Sequence, residues 1–288
     1  MPGSVIFPSD SPNGAEMADA LENCRLIFFA GLPGTGKSLF VRQQAVLAAR
    51  AGKRVHFLRW DAVRPTFETD ALLQRYPDTD GVTHPVIRKA AGRWARQAIA
   101  RWHAEFPGSD HVLVGELPIS GNRFSELVHV HDDDIEPLLA GDLTRFLVPV
   151  PTTEVRRALE SKRQDSISSP QHADETRDAP MNILRQVWTD TRSKAADLGL
   201  VDGDDAAAAD EYDPTTYQRF FQHLLQRRNC RILDVDTVYA DVGSSHDLDV
   251  PTDELVPSAD EISDVLASLE ATWTTDQIDR SVDAWYEV

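Results

Sequence analysis

The stretch Cys24 to Phe40, CRLIFFAGLPGTGKSLF, constrains this chain more than any other. Leu26 to Phe29 is an unbroken apolar run of strand length, the pattern of a strand buried on both faces. Gly31 to Ser38 then reads G-L-P-G-T-G-K-S, a full match to G-x-x-x-x-G-K-[ST]. Gly31, Gly34 and Gly36 let the backbone curl so that successive N–H groups point at one phosphate. The turn through Leu32, Pro33 and Thr35 into Lys37, Ser38 and Leu39 is the expected triphosphate cradle. Lys37 would bring a cation to the outer phosphates, and the Ser38 hydroxyl would ligate Mg²⁺. A helix opening at Lys37 adds the positive end of its dipole.

The rest of the chain supplies a sheet for that turn to sit on. Arg54–Trp60, His111–Glu116, Phe146–Val150 and Cys230–Val235 are further short apolar runs, separated by helical patterns. Five strands alternating with helices predict an α/β fold, a three-layer α/β/α sandwich around a five-stranded parallel sheet. Residues 1–24 read as an irregular N-terminal segment with a short helix over Ala15 to Leu21, and 25–240 as the main domain. Residues 241–288 read as an acidic tail whose two helices, near 258–270 and 275–285, pack on that domain. Ser258 and Glu261 form a capping box for the first of them. Residues 62–83, with Pro65, Pro77 and Gly81, read as loop.

The formal net charge of −18 argues against sequence-independent binding along a nucleic-acid backbone. Cys24 and Cys230 are the only cysteines and form no C-x-x-C pair, so neither a disulfide framework nor a thiolate metal site is expected. No apolar run approaches membrane-spanning length, and the first residues lack a signal-peptide pattern. A cytoplasmic protein without a membrane partner, monomeric or homodimeric, is the expectation.

Ligands of parallel sheets lie beyond the carboxyl ends of the strands. Asp61 follows the second strand and Glu116 closes the third, so both acids converge on the edge that carries the glycine turn. A carboxylate beside a γ-phosphate can take a proton and orient an attacking oxygen. The helix from Thr153 to Arg163 places Arg156 and Arg163 two turns apart on one face. Arg88, Arg93 and Arg96 lie on the helix between strands two and three, and Arg123 follows a Gly-Asn turn after strand three. These are candidate contacts to an anionic acceptor, with a solvated surface as the alternative. His129 and His131, followed by Asp132 to Asp134, have the composition of a metal cluster but also of a solvated loop. Trp60, Phe67, Trp94 and Trp102 suit either a pocket for a ring or the core.

The glycine turn, the acids after strands two and three, and the arginine-bearing helix after strand four resemble the nucleoside and nucleotide kinase group of P-loop proteins. That group includes shikimate and gluconate kinases, polynucleotide kinase and zeta-type toxins. The resemblance spans Leu26 to Tyr239, and only the glycine turn is a specific motif. It implies a P-loop kinase-like fold and an ATP- and Mg²⁺-dependent transfer of the γ-phosphoryl group to a hydroxyl or phosphate of a small molecule or nucleotide. It also implies that Lys37, Asp61, Glu116, Arg156 and Arg163 are catalytic and that Ser38 and Glu116 hold the metal. Asp61, Arg88 and Arg123 would then meet the substrate, and residues from about 152 to 180 would form a helical lid. VLVGE departs from the usual strand ending in aspartate, so the base is Asp61 or Glu116. Two alternatives remain: a regulatory switch that binds or hydrolyses the nucleotide, and a zeta-toxin-like kinase. The nucleotide base, ATP or GTP, has no diagnostic residue.

Overall fold

The computed structural model describes residues 7–78, 82–168, 181–201, 211–239 and 250–288. Among these, the strands are β1 (Leu26–Ala30), β2 (Arg54–Arg59), β3 (His111–Leu117), β4 (Thr144–Pro151), β5 (Cys230–Val235) and β6 (Thr252–Glu254). They form one all-parallel sheet in the spatial order β5-β4-β1-β3-β2-β6. The first half of the chain adds α1 (Pro12–Asn23), α2 (Lys37–Arg50), α3 (Trp60–Phe67), α4 (Asp70–Arg75) and α5 (Pro85–Glu105). Then come α6 (Glu136–Ala140), α7 (Thr153–Ser168), α8 (Met181–Asp197), α9 (Pro214–Leu224), α10 (Ala259–Thr272) and α11 (Thr275–Asp283).

Strand residues alternate between two cores, as the pleat requires. Ile27, Phe29, Phe57 and Val114 face α1 and α2, where Met17, Phe40 and Val41 are buried with them. Phe28, Leu58, Leu113 and Phe146 face the opposite layer, built from α3, α5, α9 and the C-terminal pair α10 and α11. Burial on both faces explains why the inner strands read as continuous apolar runs.

The sheet has six strands among the described residues, not five. β6 is short and polar, and it adds to the outer edge of β2 with Val55 level with Thr252 and Phe57 level with Glu254. Its pairing is reinforced by side chains: Arg59 grips both carboxylate oxygens of Glu254, and Arg54 Nη2 stands 3.3 Å from Asp253 Oδ2. Helix α1 starts at Pro12, with Ser11 as its cap, and runs to Asn23, so it extends the short helix expected over Ala15 to Leu21 at both ends. Residues 60–75 hold two helices where a loop is expected, and α3 contains Pro65. Thr152 caps α7 by accepting from the Val155 N–H. The mobile part expected of the lid, 169–180, and the start of the tail, 241–249, lie outside the described residues. No helix among the described residues is long and apolar enough to cross a membrane.

A buried ionic network ties α5 to the C-terminal helices. Lys89 Nζ lies 2.7 Å from Glu126 Oε1, with 5% and 0% of the two side chains exposed, and 2.7 Å from Ser281 Oγ on α11. The Lys89 ammonium also sits 4.8 Å from the centroid of Trp273, between α10 and α11. Gly92 is required opposite: a Cβ there would stand 2.5 Å from Glu126 Cγ. Burial alone would raise the Glu126 pKa, but His131 and Lys89 beside it outweigh that and hold it down to about 2. His131 Nε2 is 3.2 Å from Glu126 Oε2, and His129 Nε2 donates to the Trp285 carbonyl. The two histidines are therefore structural partners, and no metal cluster occurs among the described residues.

Arg96, read as a candidate acceptor contact, belongs to the same layer instead. It donates to Asp133, to Glu136 and to the Glu126 carbonyl, while Arg228 clasps Glu136 from the other side. Trp60, Phe67, Trp94 and Trp102 are all core residues. Glu126→Gln leaves Lys89 buried without its counter-charge and should cost about 3–5 kcal/mol in urea unfolding. Because the folded carboxyl titrates below its unfolded value, Glu126 stabilises fully above about pH 4.5 and loses that contribution as pH falls toward 2. The variant's deficit should accordingly shrink across that acid window.

Candidate functional site

The turn from Gly31 to Gly36 joins β1 to α2 at the carboxyl edge of the sheet. Gly34 and Gly36 adopt φ of +78° and +85°, a region closed to most side chains, and Gly36 caps α2. The Thr35 hydroxyl donates to the Leu32 carbonyl at 2.9 Å, and Lys37 Nζ reaches the same oxygen at 2.9 Å. Tyr217, buried in α9, supports the turn from beneath: a Cβ on Gly31 would come within 2.3 Å of its hydroxyl.

β3 pairs with β1 so that Glu116 lies level with Phe29, one residue before the last of β1. That register brings its carboxylate to the start of α2. Ser38 Oγ donates to Glu116 Oε1 at 3.1 Å, and Lys37 Nζ stands 4.0 Å from the same oxygen. The Lys37 side chain is only 5% exposed and that of Glu116 is 20% exposed. Burial, only partly offset by Glu116, pushes the Lys37 ammonium down to about 8. Burial also raises Glu116, with Lys37 acting against it and the nearby Asp61 adding to it. The site is thus a largely buried mixed-charge cluster of one ammonium, one carboxylate and one hydroxyl.

Helix α7 lies across the turn. Arg156, 2% exposed, donates from Nη1 to the Pro33 carbonyl at 2.8 Å and from Nε to Glu160 at 2.7 Å. Its guanidinium rests on Gly34, and the Leu159 side chain rests on Gly36. Both Arg156 and Arg163 lie close enough to Lys37 for their charges to depress it. The spacing 156, 159, 163 is one helical face, and that face meets the glycine turn.

Asp61, at the carboxyl end of β2 as expected, is exposed in the first turn of α3, where a carboxylate favours the helix dipole. Its charge reaches Lys37 and Glu116 on one side and Arg123 on the other. Trp60 fixes that placement by packing edge-on against Phe124, with centroids 5.4 Å apart. Arg88 extends from α5 to the same region and donates from Nη1 to the Gly121 carbonyl at 2.5 Å. The structure therefore brings Lys37, Ser38, Glu116, Asp61, Arg156 and Arg163 into one group, sets Arg123 within reach of Asp61, and sets Arg88 near Arg123, Asp279 and Asp283. Sequence reasoning missed Tyr217, and it read Arg64 only as a neighbour of Asp61, not of Arg123. Neither carries a motif; α9 is recognisable as a helix, but nothing in its pattern says that it passes under the turn. No protein-family model, curated protein or solved structure gives a significant match to this chain.

The contact between α7 and the turn is measurable through two glycines. Gly34→Ala should lose about 1–2 kcal/mol from its left-handed φ and a further increment from crowding Arg156 at 3.2 Å. Gly52→Ala, at φ +75° with no neighbour within 4 Å, should show the backbone cost alone. Thermal unfolding should therefore rank Gly34→Ala below Gly52→Ala, and an Arg156→Ala background should narrow the gap.

Proposed function

We propose that this chain is a P-loop kinase-like phosphotransferase that moves the γ-phosphoryl group of a nucleoside triphosphate, ATP in the simplest case, to an acceptor hydroxyl. The observation that carries the reading is the 3.1 Å contact between Ser38 Oγ and Glu116 Oε1, beside a buried Lys37 at the mouth of a glycine turn. A hydroxyl and a carboxylate oxygen at that spacing are the hard oxygen donors that Mg²⁺ takes, so Ser38 and Glu116 are the residues that would hold it. When bound, Mg²⁺ would neutralise charge on the outer phosphates.

The chain's own groups account for the remaining work. Backbone N–H groups of the turn and the α2 N-terminus bind the phosphates, and Lys37 supplies the fixed cation. Arg156 and Arg163, presented by α7, are placed to meet negative charge as it develops on the transferred group. Asp61 lies outside the metal pair yet within electrostatic reach of it, which favours Asp61 over Glu116 as the group facing the acceptor hydroxyl. A bond forms from that hydroxyl oxygen to the γ-phosphorus as the bond to the β-bridging oxygen breaks. The hydroxyl proton passes to the Asp61 carboxylate, and the nucleoside diphosphate leaves.

Incubation with γ-labelled ATP and a metabolite extract should transfer label to a small molecule; slow release of free phosphate alone would favour a nucleotide-driven switch. Lys37→Ala should abolish stabilisation by ATP·Mg²⁺ in a thermal-shift assay, and an unchanged shift would sink the triphosphate reading. Asp61→Asn should keep that stabilisation while transfer falls by ~10²–10⁴. Full transfer in Asp61→Asn would move the base role to Glu116.

A further inference from the structure

The segment after β3 is strained in a way the donor site does not explain. Ile119, Asn122 and Phe124 have φ of +59°, +62° and +63°, and Gly121 has +66°. A β-branched residue in this region is a true outlier, and such strain persists only where the surroundings enforce it. Ile119 and Arg123 close the segment with paired backbone hydrogen bonds of 2.9 and 3.1 Å. Both Ile119 and Phe124 are fully buried, Phe124 against Trp60. From below, Arg88 holds the Gly121 carbonyl.

The same segment carries buried polar groups that are left without partners. Ser120 Oγ and Asn122 Nδ2 are buried with no hydrogen-bond partner, on residues 4% and 0% exposed, and Arg88 Nε is likewise unpartnered. Arg123 is partly buried, yet among the described residues no hydrogen bond or ion pair engages its guanidinium. Burying donors and a cation in this way is costly unless an anion completes them. Burial and then the Arg64 charge depress the Arg123 guanidinium, with Asp61 opposing; burial and then Arg123 push Arg88 down to about 10, with Asp283 and Asp279 opposing.

We propose that Arg123 and Arg88, with Ser120 and Asn122 of the strained segment, form an oxyanion clamp for the acceptor, which carries a non-reacting phosphate or carboxylate group in addition to its hydroxyl. The inference rests on the reading that Asp61 faces the acceptor hydroxyl. Trp60 and Phe124 then set the distance between the two ends of the acceptor, because they join the residue before Asp61 to the residue after Arg123. A guanidinium fork recognises a planar or tetrahedral oxyanion with two parallel bonds, which an ammonium cannot do.

The test is a thermal-shift titration of the full chain with inorganic phosphate and, separately, malonate, against chloride at equal ionic strength. Wild type and Lys37→Ala should both respond to one of the two oxyanions, and which one responds assigns the acceptor group. Arg123→Gln should weaken that response ~10-fold or more, since a bond to a charged group is lost. Arg123→Lys should fall between them. Ligand-free Arg123→Gln should unfold at an equal or higher temperature, because a partly buried cation that makes no hydrogen bond or ion-pair contact has been removed. The proposal is overturned if Arg123→Gln responds like wild type, if the response vanishes in Lys37→Ala, or if Arg123→Gln unfolds earlier while keeping its oxyanion response. Stabilisation by ATP·Mg²⁺ should persist in Arg123→Gln; its absence from wild type would instead overturn the donor reading and leave the oxyanion result standing.

Discussion

Parallel pairing of β1 with β3 sets Phe29 level with Glu116 and Ala30 level with Leu117. The glycine turn leaves the end of β1, so this register decides which β3 residue meets the start of α2. Side chains alternate along a strand, and a slip of one residue would send Glu116 to the opposite face and bring an apolar neighbour to Ser38. The register is well determined because β1 and β3 are buried on both faces, with Phe28 packed against the bare Cα of Gly115. Added there, a Cβ would stand 2.4 Å from the Phe28 ring. The unusual glycine in VLVGE is thus a packing requirement of β1, one residue before the acid.

Features governed by local pattern were legible in the sequence. The inner strands announce themselves as apolar runs, and β5 spans the same residues, Cys230–Val235, as its run. The glycine turn was readable because its φ values need glycine at fixed positions. β6 was not readable. Three polar residues, Thr252 to Glu254, carry no strand signal, and the strand exists because β2 offers an open edge with Arg54 and Arg59 beside it. α3 was hidden for a different reason: Pro65 reads as a breaker, yet in so short a helix it removes little of the hydrogen-bond ladder. The strained segment after β3 left only Gly121-Asn122 as a trace, because Ile119 and Phe124 are held left-handed by tertiary packing against their own preference.

Arginine placement corrects another expectation. On a chain of net charge −18, arginines might be taken as surface balance. Instead Arg96, Arg145, Arg156 and Arg228 are buried and bonded to carboxylates or carbonyls. A guanidinium can satisfy several acceptors from one rigid fork, which suits crowded junctions such as the meeting of α5, α6 and the end of α9. The consequence is that an arginine on a helix facing the site is informative only when its acceptors are counted. Arg96 has all of its acceptors within the fold, whereas Arg123 has none of its own among the described residues.

The position of α7 has an electrostatic logic of its own on the proposed reading. Lys37, Arg156 and Arg163 are mutually repulsive, and Glu116 is the carboxylate set directly against Lys37. Burial is the main cause of the depressed Lys37 ammonium, with Arg163 and Arg156 adding to it and Glu116 and Asp61 opposing it. On the proposed reading a polyphosphate at the turn would add negative charge beside Lys37 and Arg156 in a site of low dielectric. Arg156 need not travel to take part, because its Pro33 and Gly34 contacts already hold it at the turn. Preorganisation of this kind costs stability in the ligand-free chain and lowers the reorganisation left for the moment of transfer. On that reading the helix that carries Arg156 and Arg163 is part of the phosphate site before any ligand arrives, held at the turn by the Arg156 hydrogen bond to the Pro33 carbonyl.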